Sequence, residues 1–229
     1  IGFSGYSMGG MITMLAAMDP RLKAVVPMVG GTGFKYIDFP GGIEGSSLRN
    51  HFKYLDLYKK TMDPEGYWPL VKCPVLFITS SNDFHSTFER IYQSIDLLKH
   101  SNWRVSSNVH QNHGPGNEQW VLLNLWFEKY LKGKDVNVPE TPSTELSVKG
   151  SVATFSVVPQ NKKNLESTDI YYSYDPNSRT RFWIYAKAKG DQLKQTVDVP
   201  FHKGLPLYIF ASSRYRLAEP VQLERGSAS

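Results

Sequence analysis

Cysteine is nearly absent. Cys73 is the single one in 229 residues, so no disulfide can close within the chain. Its place beside Pro74, at the start of an apolar run, reads as a small buried residue. No apolar stretch nears the roughly 18–20 residues that a membrane span needs. There is no initiator Met and no basic-then-apolar leader. No G-x-G-x-x-G follows a strand-like run, and no Walker A pattern occurs. No set of His, Cys and Asp has zinc-ligand spacing. Charge of one sign is also missing as a field. The net +5 comes from 26 Lys+Arg against 21 Asp+Glu, and residues 1–146 hold 14 of each. The remaining 12 basic and 7 acidic residues carry the whole excess, but they are dispersed. A solvated face accounts for them better than a surface for nucleic acid or acidic glycans. The expectation is no cofactor, no metal, no nucleic-acid partner and no membrane. There is no internal repeat or low-complexity tract.

What is present is patterned. Ile1-Gly2-Phe3 reads as the tail of a buried strand, and Met11–Met18 as a buried helix halted by Asp19-Pro20. Leu22–Val29 and Val75–Thr79 are near-continuous apolar runs, as parallel strands covered on both faces require. Thr87–Lys99 carries Phe88, Ile91, Ile95 and Leu98 at helical spacing. Trp103–Val109 reads as a strand, and Glu118–Leu131 as an amphipathic helix with Gly133 as its stop. Residues 32–70 are rich in Gly, Pro and aromatics such as Phe34, Tyr36, Phe39 and Phe52, which suits an insertion or lid. The alternation of strand and helix over residues 1–138 predicts an α/β unit with a parallel sheet. After Pro139-Glu140-Thr141-Pro142 the pattern changes. Leu146–Val158, Ile170–Tyr174, Thr180–Ala186 and Leu205–Ala211 alternate apolar and polar residues, so residues 143–229 read as a small all-β accessory domain. Its Tyr171, Tyr172, Tyr174, Trp183 and Tyr185 suit either sugar stacking or core and cross-strand pairing; the second is the simpler reading.

The chemistry concentrates in Gly5-Tyr6-Ser7-Met8-Gly9, a G-x-S-x-G between a strand and a helix. A serine hydroxyl is a weak nucleophile, so it needs a base, and the base needs an orienting carboxylate. The motif also places the serine on a sharp turn that tolerates only small neighbours. Asp83 lies just after the strand Val75–Thr79, and His113 just after the strand Trp103–Val109. The order Ser, Asp, His, each in a loop past a strand's C-terminal end, makes Ser7, Asp83 and His113 the candidate catalytic set. Met8 is the candidate oxyanion donor through its backbone N–H. Tyr6, His85 and His110 are candidate pocket residues, with His110 also weighed as an alternative base. Asn82 suits loop shaping. His51, His100 and His202 read as surface residues.

Gly5-Tyr6-Ser7-Met8-Gly9-Gly10, Lys72-Cys73-Pro74-Val75-Leu76-Phe77 with Ser81-Asn82-Asp83-Phe84-His85, and Asn112-His113-Gly114 together resemble the α/β-hydrolase superfamily. Within it the pattern looks most like acetyl xylan esterases and dienelactone hydrolase-like proteins. The resemblance covers about residues 1–132. It implies a partial α/β-hydrolase fold with Ser7 as nucleophile, Asp83 as acid and His113 as base, acting on a small-molecule or polysaccharide ester. The C-terminal segment more weakly resembles β extensions of secreted polysaccharide esterases and of PhoPQ-activated pathogenicity-related proteins. A full fold of this kind has strands and a second oxyanion donor ahead of the nucleophile. The chain is therefore expected to be the C-terminal part of a larger enzyme, with little activity alone. A periplasmic or secreted location is expected if a leader precedes it. Two other readings remain. One is a serine peptidase of the same fold, with the loop between Gly30 and Val71 shaping a peptide site. The other is a non-catalytic carbohydrate-binding or interaction protein on this scaffold, against which the triad order speaks.

Overall fold

The computed structural model describes residues 1–32, 54–61, 63–160, 164–191 and 193–217. The expected lid, with Phe34, Tyr36, Phe39 and Phe52, lies mostly outside these residues, as does His51.

The first unit is built on four strands, β1 (Gly2–Tyr6), β2 (Ala24–Met28), β3 (Val75–Ser80) and β4 (Trp103–Asn108). They stand in the order β1-β2-β3-β4, each parallel to its neighbour. The helices are α1 (Met8–Ala16), α2 (Leu55–Thr61), α3 (Phe88–Leu97) and α4 (Asn117–Lys132). Two short 3-10 turns, Pro64–Gly66 and Trp68–Leu70, follow α2.

Strand periodicity explains why the runs are apolar throughout. Successive side chains point to opposite faces. Val25, Val75 and Phe77 join one core with Met14, Trp68 and Ile91. Their neighbours Val26, Leu76 and Ile78 join the other, with Leu125, Trp126 and Val138. So α1, α3 and the Trp68 turn cover one face, and α4 covers the other. Each fully buried side chain of this size contributes about 1.5–3 kcal/mol by leaving water. Gln119 on α4 is buried, and its amide donates to Thr79 O (2.8 Å) and Ser106 O (2.9 Å). Its Oε1 accepts from Gly116 N at 2.8 Å, which fixes the start of α4 against the strand ends. The helix stops at Gly133, which adopts φ +65°.

The second unit forms two antiparallel sheets. One has the order β5 (Ser143–Lys149), β6 (Val152–Val158), β10 (Gln195–Pro200), β9 (Lys189–Gly190); the other has β11 (Tyr208–Tyr215), β7 (Leu165–Ser173), β8 (Ile184–Ala186). Phe155 and Val157 from the first sheet and Ile170 and Ala186 from the second share one core. The strand bounds differ from the alternating stretches of the sequence at three places. Leu146–Val158 is not one strand but a hairpin, folded at Gly150-Ser151. Thr180–Ala186 is strand only from Ile184, because Arg181 and Trp183 turn inward to other partners. Gln195–Pro200 is a strand that no apolar run announces, since it buries only Val197 and Val199. Tyr171 and Tyr185 form a cross-strand pair, with ring centroids 5.8 Å apart.

The linker between the units is tied down. Arg104 Nε donates to Pro139 O (2.9 Å), and Val105 N to Thr141 Oγ1 (3.3 Å), along the outer edge of β4.

Candidate active site

Parallel strands present all their C-terminal ends on one side of a sheet, so the loops after β1, β3 and β4 meet there. Ser7 follows β1 directly and has φ 55°, ψ −114°. A non-glycine residue at positive φ is strained and persists only when its surroundings hold it. Here Ser7 N donates to Met28 O (2.9 Å), and Ser7 O accepts from Gly10 N (2.9 Å). The space is equally constrained. A Cβ on Gly5 would lie 2.2 Å from Gly9 O, and one on Gly30 would lie 2.2 Å from Ser7 O. The second glycine of the motif differs: a Cβ on Gly9 meets nothing among the described residues.

The structure brings Ser7, His113 and Asp83 into one line. Ser7 Oγ lies 2.8 Å from His113 Nε2, and His113 Nδ1 lies 2.6 Å from Asp83 Oδ2. Asp83 is wholly buried, and its Oδ1 accepts from His85 N (2.7 Å) and Ser86 N (2.5 Å). Opposite a carboxylate, which only accepts, a neutral imidazole places its proton on Nδ1 and turns its Nε2 lone pair to the Ser7 hydroxyl. His113 itself is positioned from two sides. Tyr6 Oη donates to His113 O (2.7 Å), and the Phe84 ring lies 4.5 Å from the imidazole. Met8 is the first residue of α1, so its N–H has no acceptor within the helix.

The other candidates have other partners. His85 is buried, and its Nδ1 donates to Val29 O at 3.1 Å. Val29 is itself at φ 43°, an outlier for a β-branched residue. The His85 and His113 rings are 6.0 Å apart. His110 is engaged elsewhere: its Nε2 accepts from Trp183 N (3.0 Å), and its ring stacks on Phe182 at 4.9 Å. Away from the site, His202 is exposed, while burial holds the half-buried His100 below the usual histidine range. Sequence reading gave no role to Phe84, Val29 or Gly30. Gly30 had a signal, as the first of a Gly-Gly pair after an apolar strand; Val29 had none.

Among the described residues, no group of three or more His, Cys, Asp or Glu could hold a metal ion, and no helix is long and apolar enough to cross a membrane.

No family model matches this chain, and no curated protein matches it. Solved structures do. An acylaminoacyl peptidase in complex with Z-Gly-Gly-Phe-chloromethyl ketone superposes at a TM-score of 0.52 with 21% identity, over 60% of this chain and 25% of its own. The fold is a partial α/β-hydrolase fold. A puromycin hydrolase aligns at 0.50 with 13% identity, over 61% of this chain and 23% of its own. Acetyl xylan esterase 1 from a Thermoanaerobacterium species aligns at 0.44 with 16% identity, over 56% of this chain and 45% of its own. This chain thus spans about a quarter of the length of the acylaminoacyl peptidase. Within the α/β-hydrolase fold, the loops after β1, β3 and β4 carry Ser7, Asp83 and His113.

Proposed function

We propose that the protein is a serine hydrolase that cleaves carboxylic esters through an acyl-enzyme, with Ser7 as nucleophile, His113 as base and Asp83 as orienting acid. One observation carries this reading: the unbroken line from Ser7 Oγ through His113 to a buried Asp83. In the first step His113 Nε2 takes the Ser7 hydroxyl proton as Oγ bonds to the ester carbonyl carbon. The Met8 N–H donates to the developing oxyanion. Collapse expels the alcohol, which receives the proton from His113. Water then adds to the acyl carbon, with His113 again as base, and Ser7 is regenerated.

An acetyl ester on a carbohydrate is the substrate class proposed first, and the motifs after β1, β3 and β4 support it through their resemblance to acetyl xylan esterases. A peptide substrate is the second reading. The peptidase that shares the fold, bound to a tripeptide chloromethyl ketone, favours it.

The test is turnover of p-nitrophenyl acetate against an N-acylated peptide p-nitroanilide by the whole protein, with Ser7→Ala beside it. Ester turnover that Ser7→Ala abolishes is the expected result. Turnover of the anilide alone would move the assignment to peptidase. Labelling of Ser7 by a fluorophosphonate is expected too, and a non-catalytic binding protein would not give it.

A further inference from the structure

Both loops that carry Asp83 and His113 are gripped by a segment of the β unit. Asn82 immediately precedes Asp83, and its Nδ2 donates to Arg181 O (2.6 Å) and Arg179 O (3.4 Å). Trp183 Nε1 donates to Ser81 O at 3.3 Å, and Trp183 N to His110 Nε2 at 3.0 Å. The two loops are also laced to each other. Ser81 Oγ accepts from His110 N (2.8 Å) and donates to Asn82 Oδ1 (2.8 Å). Ser81 N and Asn82 N donate to Asn108 O and Gln111 O, at 2.8 and 3.0 Å.

The gripping segment is itself rigidly seated. Arg181 is 1% exposed. Its Nη1 pairs with Glu89 of α3 at 2.8 Å, and its Nε and Nη2 donate to Asp175 O and Pro176 O. The guanidinium carbon lies 3.5 Å from the centre of the Tyr208 ring, a stacked cation–π contact. Trp183 is 2% exposed and packs edge-on against Phe88 of α3 (6.3 Å) and Phe210 of β11 (4.7 Å).

Backbone geometry shows what the grip achieves. His110 adopts φ 56°, in the left-handed region. Such a conformation in a non-glycine residue is held by its surroundings. The Trp183 N–H and the Phe182 ring supply that hold on one side, and Ser81 Oγ on the other. The turn at His110 sets the course of Gln111–His113, and hence the reach of the imidazole to Ser7.

We propose that the Asp175–Trp183 segment of the β unit is a positioning brace for the acid and base loops, acting through Asn82, Ser81 and His110. The β unit is then a structural part of the site rather than a separable accessory. The catalytic meaning of the brace rests on the serine hydrolase reading. Its geometric content, the alignment of His113 with Asp83, does not.

The test uses the whole protein with Trp183→Phe, which deletes the indole N–H, and Asn82→Ala, which deletes the amide. Arg216→Ala, which breaks an exposed ion pair with Glu166, is the control. Two quantities are read: the 15N shifts of the His113 imidazole, and the rate of fluorophosphonate labelling at Ser7. In the parent the shifts should report a proton fixed on Nδ1. In both brace variants they should move toward those of an imidazole exchanging between tautomers, with circular dichroism unchanged. Labelling and kcat should fall on the order of 10–100-fold while KM holds, as small misplacements of reacting groups do. A structural role elsewhere would leave the His113 shifts in place. Asn82→Ala decides the matter if Trp183→Phe does not fold, because it opens no aromatic pocket. Unchanged His113 shifts in Asn82→Ala overturn the brace, whatever the labelling rate does. An unlabelled parent overturns the hydrolase reading instead, and the shifts still decide the brace.

Discussion

β3 and β5 are strands of similar length in opposite settings. All six residues of Val75–Ser80 are buried, whereas all seven of Ser143–Lys149 are exposed. The first lies inside a parallel sheet covered on both faces; the second edges an antiparallel sheet. A parallel strand in this position must be apolar at every step, because both faces meet a core. An edge strand has one open face and one open side, so its composition is loosely constrained. The same contrast separates the two units as a whole. The α/β unit locks the candidate site's geometry, and the β unit reaches it through one loop anchored by the buried Arg181 and Trp183.

The α/β unit is most sensitive at the elbow after β1. Ser7→Ala should lower kcat on the order of 100,000-fold with the fold intact, measured by single-turnover kinetics. Residual activity near that of the parent would remove Ser7 from the chemistry. Asp83→Asn should cost roughly 10,000-fold, because an amide no longer holds His113 in the Nδ1–H tautomer. A pH–rate profile identical to the parent's would contradict that.

Packing comes next in size. Phe77→Ala in β3 should destabilise by about 3–5 kcal/mol in urea unfolding, as deletion of a large buried side chain does. Leu146→Ala in β5 should fall within about 0.5 kcal/mol of the parent, as exposed sites do. Equal losses at both positions would erase the distinction drawn between the strands.

The smallest effect concerns Cys73, beside the entry to β3. Burial pushes its thiol up to about 11 from 9.0. The folded state therefore favours the neutral thiol. That contribution is fully present below about pH 9 and is lost as pH rises from there through about 11. The native protein should react with iodoacetamide at pH 8 far more slowly than the urea-unfolded chain. Equal rates would place the thiol at the surface.

Where the chain is buried on both sides, local pattern and final structure agree. The runs around Val25 and Leu76 could become little else than central strands, and Gly133 could only end α4. The β unit was less legible. Leu146–Val158 reads as one alternating stretch, since the alternation continues across the turn at Gly150-Ser151. Gln195–Pro200 escapes notice because two buried valines make a weak signal. Ser7, Asp83 and His113 could be chosen as a set because each chemical type follows a strand in a required order. His110 lies only three residues before His113, and in the sequence only its place nearer the strand end points it to the pocket rather than to the base. Trp183, more than seventy residues away, makes the separation by donating its N–H to His110.

Uninterrupted apolar runs are enough to set the parallel sheet, and Gly5, which leaves no room for a Cβ, is enough to set the sharp turn at Ser7. The sequence by itself also nominated the acid and the base. Which imidazole faces Ser7, how Asp83 is held, and the contacts of a β-unit loop with both neighbouring loops arise in the folded molecule alone. Those outcomes depend on hydrogen bonds between residues distant in the chain, and such bonds leave no periodicity behind. A strand's apolar face is written residue by residue; a contact between two loops exists only once both have folded.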